Sequence, residues 1–227
     1  MDQPSPQPIR LNKFLAERLG VSRREADDLI AAGDVLVNEK PAILGARIDK
    51  NDKVCYNNKI VPFQTDFFYL AFNKPVGYVC SRRAQGLAPT LYELLPKDYQ
   101  KLKTVGRLDK NSSGLILLTN DGNFAFQMTH PKFQKAKVYE VTLDRPLEPL
   151  HQQIISDYGV MLEDGPSKFL VVHDNDKYLV TISEGRNRQI RRTFAALGYK
   201  VVKLHRTQFG KYQLSGLKPG EYDIIKP

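Results

Sequence analysis

Three short segments carry residue types that could do chemistry together. The first is Gly106-Arg107-Leu108-Asp109-Lys110-Asn111-Ser112-Ser113-Gly114, a polar loop directly before the apolar run Leu115-Ile116-Leu117-Leu118. One carboxylate stands there between two cations, and neighbouring positive charge favours the ionised form that a nucleophile or base needs. A loop delivered by a buried strand is also a rigid mount for a reactive group. Taken alone, the same residues suit an ordinary turn with a surface aspartate. The second segment is Glu184-Gly185-Arg186-Asn187-Arg188-Gln189-Ile190-Arg191-Arg192. Asn187 reads as a helix N-cap, and Ile190, Phe194 and Leu197 then form an apolar stripe at i, i+4, i+7 spacing. Arg191 falls at the margin of that stripe, where a cation needs a carboxylate, and Asp109 is the candidate partner. Arg186, Arg188 and Arg192 are placed for phosphates near the positive helix N-terminus, with a solvated basic surface as the alternative, above all for Arg192. The third segment is Lys137-Val138-Tyr139-Glu140-Val141. Strand alternation separates Tyr139 from Val138 and Glu140, so its ring can stack on a base or serve as packing.

The elements that must position these residues can be read from periodicity. Residues 1–8 hold three prolines and little apolar content, which predicts a loose tail. Leu11, Phe14, Leu15 and Leu19 repeat at helical spacing up to Gly20, and Ser22-Arg23-Arg24-Glu25 has capping-box spacing for a second helix ending at Gly33. Short alternating segments at Val35–Val37 and Val54–Tyr56 follow, separated by turn residues. A small α/β unit over residues 9–65 is therefore expected. From residue 66 to 227 the chain is strand-rich, with apolar runs at Phe67–Phe72, Leu115–Leu118, Val138–Leu143, Phe169–Val172 and Tyr178–Ile182. Helical pieces are expected at Asn123–Met128, Leu147–Ser156 and Asn187–Leu197. The strands lack regular helical crossovers, which predicts an α+β domain on a mixed, largely antiparallel sheet.

Composition narrows the function classes. The 227 residues carry 34 Lys+Arg against 25 Asp+Glu, a net charge of +9 that favours a polyanionic partner. Residues 1–65 hold 10 cations and 9 anions, so the small domain is close to neutral. Even so, Arg10, Lys13, Arg18, Arg23 and Arg24 cluster in its first two helices, as a local face for RNA phosphates or as a solvated helix surface. The two cysteines, Cys55 and Cys80, stand alone, so neither a zinc site nor a disulfide framework is expected. No secretory segment or membrane-span-length apolar run is visible, which predicts a soluble cytoplasmic protein.

Taken together and in this order, the segments resemble the bacterial ribosomal RNA pseudouridine synthases of the RsuA/RluB/RluE/RluF family. The likeness rests on Gly106-Arg107-Leu108-Asp109 through Leu118-Thr119-Asn120-Asp121-Gly122, on Asn73-Lys74-Pro75-Val76-Gly77, and on Glu184 to Arg192. Arg10-Leu11-Asn12-Lys13-Phe14-Leu15 through Ser22-Arg23-Arg24-Glu25-Ala26 is similar to the small S4-type RNA-binding domain fused ahead of such enzymes. The resemblance implies that Asp109 is the essential aspartate, Tyr139 the active-site tyrosine and Arg191 the basic residue paired with the aspartate. It further implies that Leu204 packs under the target base and that Arg107 fills the gap left by a flipped nucleotide. Lys74, Arg186, Arg188 and Arg192 are then expected to bind substrate, and Arg10, Lys13, Arg23 and Arg24 to serve the RNA-binding domain.

The implied reaction isomerises uridine to pseudouridine in ribosomal RNA or a pre-ribosomal particle, with no cofactor, no metal and a monomer as the default state. The base must be reached outside the helical stack. Gly159-Val160-Met161-Leu162-Glu163-Asp164-Gly165-Pro166 resembles large-subunit enzymes, whereas Gly77-Tyr78-Val79-Cys80-Ser81 and Thr181-Ile182-Ser183-Glu184-Gly185 resemble the small-subunit one. The balance leans slightly to the large subunit. A non-catalytic ribosome-assembly factor on the same scaffold is the rival reading. An RNA methyltransferase would need a glycine-rich cofactor loop after a strand, and none is present.

Overall fold

The computed structural model describes residues 8–63, 66–82 and 86–227. Residues 1–7, where most of the loose tail is expected, lie outside the described residues. The chain divides into two compact units, Met1–Phe67 with Asn120–Gly122, and Phe68–Thr119 with Asn123–Pro227.

In the first unit, helices α1 (Leu11–Arg18) and α2 (Arg23–Ala31) precede four short strands, β1 (Val35–Val37), β2 (Lys40–Pro41), β3 (Val54–Tyr56) and β4 (Lys59–Ile60). The strands pair antiparallel in the order β2-β1-β3-β4. The capping box forms as its spacing requires. Ser22 Oγ accepts from Glu25 N at 3.1 Å and Ser22 N donates to Glu25 Oε2 at 2.7 Å, satisfying two orphan donors of the first turn. The helical stripe (Leu11, Phe14, Leu15, Ala26 and Ile30) packs on Val35, Ile48 and Val54 to make a separate small core.

The second unit is built on nine strands. They are β5 (Tyr69–Lys74), β6 (Lys103–Val105), β7 (Ser113–Thr119), β8 (Lys137–Leu143), β11 (Leu170–Asp174), β12 (Lys177–Ile182), β13 (Val201–Phe209), β14 (Tyr212–Gln213) and β15 (Tyr222–Ile224). A separate hairpin pairs β9 (Val160–Leu162) with β10 (Gly165–Ser167). The sheet runs β11-β12-β8-β13-β7-β5-β15, with β14 beside β13 and β6 beside β7. Among the described residues its pairings are antiparallel except β7 with β13, which meet in parallel at His205↔Ser113 and Arg206↔Gly114. The mixed, largely antiparallel sheet expected from the sequence is therefore present.

Strand β7 shows why its run is apolar throughout. Ile116 and Leu118 enter one core with Leu70, Phe72, Tyr139, Leu204 and Phe194, while Leu115 and Leu117 enter a second with Ala71, Phe124, Met128 and Phe209. A strand covered on both faces has no solvated side on which to carry polar residues. Helix α3 (Gly122–Thr129) supplies Phe124 and Met128 to the second core. Helix α4 (Pro149–Gln153) begins with proline at its first turn and passes into a wider π turn over Ile154–Tyr158. Helix α5 (Gln189–Ala196) buries Ile190, Thr193 and Phe194.

Candidate active site

The Asp109 loop is held from several directions, mostly through its backbone. Lys74, at the end of β5, donates from Nζ to Ser112 O at 2.7 Å and to Pro75 O at 3.0 Å. Gly77 N donates to Lys110 O at 2.8 Å. Cys80 Sγ lies 3.3 Å from Leu108 O and 3.4 Å from Leu108 N. Arg191 Nη2 donates to Asn111 O at 2.8 Å while its Nη1 donates to Val201 O at 2.7 Å, so this arginine ties the loop to the start of β13. Ser112 N closes the turn on Asp109 O at 3.0 Å. Because these contacts use backbone groups, the Asp109 side chain is left half-buried at a cavity of about 440 Å³.

Opposite the loop, β8 and β13 build the cavity floor. The register pairs Tyr139 with Arg206 and Val141 with Leu204, which places these four side chains on one sheet face. Leu204 and Tyr139 are nearly buried and both line the cavity. Arg107 is exposed and lines it as well. The arrangement offers a concave site in which the apolar Leu204, Ile182, Ile190 and Phe209 stand beside Tyr139, the carboxylates of Asp109 and Glu184 and several cations, a mixed lining that can seat a planar polar ligand.

Several sequence expectations receive different partners. The cation nearest the Asp109 carboxylate is Arg188, with Nη1 3.6 Å from Oδ2, whereas Arg191 spends its terminal nitrogens on the two carbonyls above. Asn187 does not cap α5. Arg188 takes that position in a left-handed conformation (φ 47), and its guanidinium meets Asp109 of the loop. Arg186 and Arg192 do not present open phosphate sites, since both converge on Asp164 in the β9–β10 turn. Arg192 meets that carboxylate at 3.1 and 2.8 Å, and Arg186 at 3.0 Å with further bonds to the Asp164, Gly165 and Pro166 carbonyls. The two arginines hold Asp164 below the ordinary carboxylate range, the hydrogen bond from Arg192 being the main cause. Within the first unit Arg10, Arg23 and Arg24 are exposed, and Lys13 is half-buried 4.0 Å from Glu17.

Lys74 is fully buried, so it serves as a brace for the loop rather than as a surface contact. Burial pushes its ammonium down to about 8, with Cys80 and Asp109 opposing the shift. A lysine whose native value lies below its unfolded value costs stability fully at low pH, and that cost is relieved as pH rises from about 8 toward 10.5. Between pH 7.5 and 10 the wild type is expected to gain about 2 kcal/mol relative to Lys74→Met. Urea midpoints for both proteins at the two pH values measure it, and parallel pH dependences would refute it.

Sequence reasoning passed over Arg206, Lys137 and Asp164. Arg206 had a local signal only, its i, i+2 spacing from Leu204, inside a strand whose bulges break the wider alternation. Asp164 had none, since only the fold brings the hairpin turn to α5.

Comparison with known proteins agrees with this architecture. Residues 68–196 match the family described as RNA pseudouridylate synthase, and residues 9–54 match the S4 domain. The chain is 41% identical to ribosomal small subunit pseudouridine synthase A of Pasteurella multocida, over 94% of each chain. It is 34% identical to ribosomal large subunit pseudouridine synthase B of Bacillus subtilis, over 96% of this chain and 92% of that one. A crystal structure of a pseudouridylate synthase superposes with a TM-score of 0.70 at 34% identity, covering 96% of both chains. With the S4 domain ahead of the mixed-sheet catalytic domain, the chain belongs to the RNA pseudouridine synthases of the RsuA/RluB type, isomerases that carry an S4 domain in front of the catalytic one.

Proposed function

We propose that the protein converts a uridine of ribosomal RNA to pseudouridine, with Asp109 acting at the sugar C1′ of a nucleotide extruded into the cavity. The observation that carries this reading is the placement of the Asp109 carboxylate, 3.6 Å from Arg188, at the wall of a cavity floored by Leu204 and Tyr139. The N1–C1′ bond breaks with its electron pair leaving on the ring. The uracil turns in the cavity, C5 bonds to C1′, the C5 proton is lost and N1 gains one. Substrate and product have the same composition, so no second substrate is consumed. Tyr139 and Leu204 hold the ring plane during the turn, Arg107 enters the stack where the base has left, and Arg188 keeps the carboxylate aimed. The exposed cations Arg10, Arg23 and Arg24 bind RNA phosphates from the S4 domain, with Lys13 beside them.

The target is drawn from the small subunit. The segment that pointed to the large subunit, residues 159–166, is occupied in anchoring the hairpin to α5 through Asp164, a structural use that does not select RNA. Relatives described as small-subunit enzymes span 34–41% identity and those described as large-subunit enzymes 34–37%, so the upper end of the range favours the small subunit. Expression in a host stripped of its own enzymes of this family, followed by carbodiimide-dependent reverse-transcription stops across both ribosomal RNAs, tests activity and target together. One new stop in small-subunit RNA is expected. A stop in large-subunit RNA would reverse the assignment, and tight ribosomal RNA binding with no stop at all would favour an assembly factor.

A further inference from the structure

Arg206 is a buried cation for which the protein alone offers no counter-ion. It is 2% exposed on β13, donates from Nε to Leu115 O at 2.7 Å and from Nη1 to Tyr139 O–H at 3.4 Å, and leaves Nη2 without an acceptor. Among the described residues no carboxylate lies within ion-pair distance of it. A guanidinium buried in this way is destabilising unless another group accepts its protons. Lys137 lines the same cavity, and its ammonium makes only long contacts, at 3.3, 3.3 and 3.5 Å, to the carbonyls of Ser183, Glu184 and Lys135. The two cations share one aromatic neighbour, Phe209, whose ring centre lies 4.9 Å from Arg206 Cζ and 5.4 Å from Lys137 Nζ. Burial, and then the nearby Arg206, push the Lys137 ammonium down to about 8. Asp109 makes its ion-pair contact with Arg188 and lies outside ion-pair distance of Arg206 and Lys137, while Arg206 touches Tyr139.

We propose that Arg206, supported by Lys137, is a substrate-contacting group that donates to a ring oxygen of the uracil and stabilises the negative charge the ring gains as its bond to the sugar breaks. The inference rests on the reading of the cavity as a uridine site. Heterolysis of N1–C1′ leaves the electron pair on the pyrimidine, where conjugation spreads it onto both carbonyl oxygens. Arg206 acts as a hydrogen-bond donor and transfers no proton. A fixed donor held away from water acts most strongly on charge that appears during the reaction, which favours the transition state over the bound uridine. A backbone phosphate is a poorer fit, because Arg206 lies beside Tyr139 and Leu204 on the floor of the cavity, where a flat base edge reaches.

Single-turnover rates test this on two RNAs, one with uridine at the mapped target and one with 5-fluorouridine, whose electron-withdrawing fluorine makes the pyrimidine a better leaving group. Loss of the target nucleoside is followed by mass spectrometry after digestion, and RNA affinity by filter binding. For Arg206→Gln the expected result is a loss of roughly 100-fold on uridine, an RNA Kd within about threefold of wild type, and a loss of about 10-fold or less on 5-fluorouridine. Arg206→Lys, which keeps the charge, is expected to recover part of the rate. Equal losses on the two RNAs, or a defect confined to Kd, would overturn the proposal, the latter assigning the pair to phosphate. If Arg206→Gln fails to fold, Lys137→Met makes the same comparison from a neighbouring strand, and equal losses there would overturn it as well. A wild-type protein inactive on both RNAs would overturn the uridine reading itself, a result distinct from either of these.

Discussion

Asp109→Asn is expected to lower the rate of pseudouridine formation by about 1000-fold or more while RNA affinity stays within a few-fold of wild type or rises slightly. The variant keeps side-chain size and removes only the charge. The loop does not depend on that carboxylate for its shape, because Lys74, Gly77, Cys80 and Arg191 hold it through the carbonyls or amides of Leu108, Lys110, Asn111 and Ser112. Folding should therefore be preserved. RNA binding draws on cations, so losing one negative charge beside Arg188 cannot weaken the electrostatic attraction. Single-turnover conversion of the mapped site and filter binding of the same RNA separate the two quantities. Wild-type turnover in this variant would remove Asp109 from the mechanism, and a rate loss matched by lost affinity would make it a binding residue.

The second large effect is on stability. Gly114 has φ +103, and a Cβ built there would lie 2.2 Å from Arg206 O, 2.6 Å from Arg206 N and 2.9 Å from Arg206 C. These are backbone atoms of the neighbouring strand at the only parallel contact in the sheet as described, so no side chain can swing aside to make room. Gly114→Ala is expected to cost about 3 kcal/mol or more, from backbone strain and overpacking together. Activity should fall as well, since Arg206 and the Asp109 loop meet at that contact. Gly77→Ala is the control. It also has positive φ (+96) but open space around the position, so only the strain remains, about 1–2 kcal/mol. Urea unfolding followed by near-ultraviolet tyrosine signal measures the catalytic unit, because only Tyr56 of the 11 tyrosines lies in the first unit. Equal midpoints for the two variants would refute the close-approach argument.

Much of this protein was legible from local sequence. The capping box at Ser22 and Glu25, the helical stripe of Leu11, Phe14 and Leu15, and the strands at Val35–Val37 and Val54–Tyr56 follow from rules acting over a few residues, and the structure contains each of them. The GRLD loop before a buried strand and the Tyr139 strand are likewise short-range signals. The nine-residue strand Val201–Phe209 went unassigned, because its burial is irregular and two register shifts against β8 blur the period-2 pattern.

The sequence by itself determined residue types, their order along the chain and the local elements that present them, and with those the family resemblance. Only the tertiary structure decided which charges meet. Arg188, Arg191 and Arg192 lie within five residues of one another, yet one faces Asp109, one binds the carbonyls of Asn111 and Val201 and one binds Asp164. Their partners come from Asn111 and Asp109 on one side and from the β9–β10 turn on the other, distant segments that the sheet and α5 bring together. An ion pair depends on a few ångströms of separation and on burial, and neither is encoded in spacing along the chain. The same holds for Arg206, whose orphan nitrogen exists only because the fold closes around it.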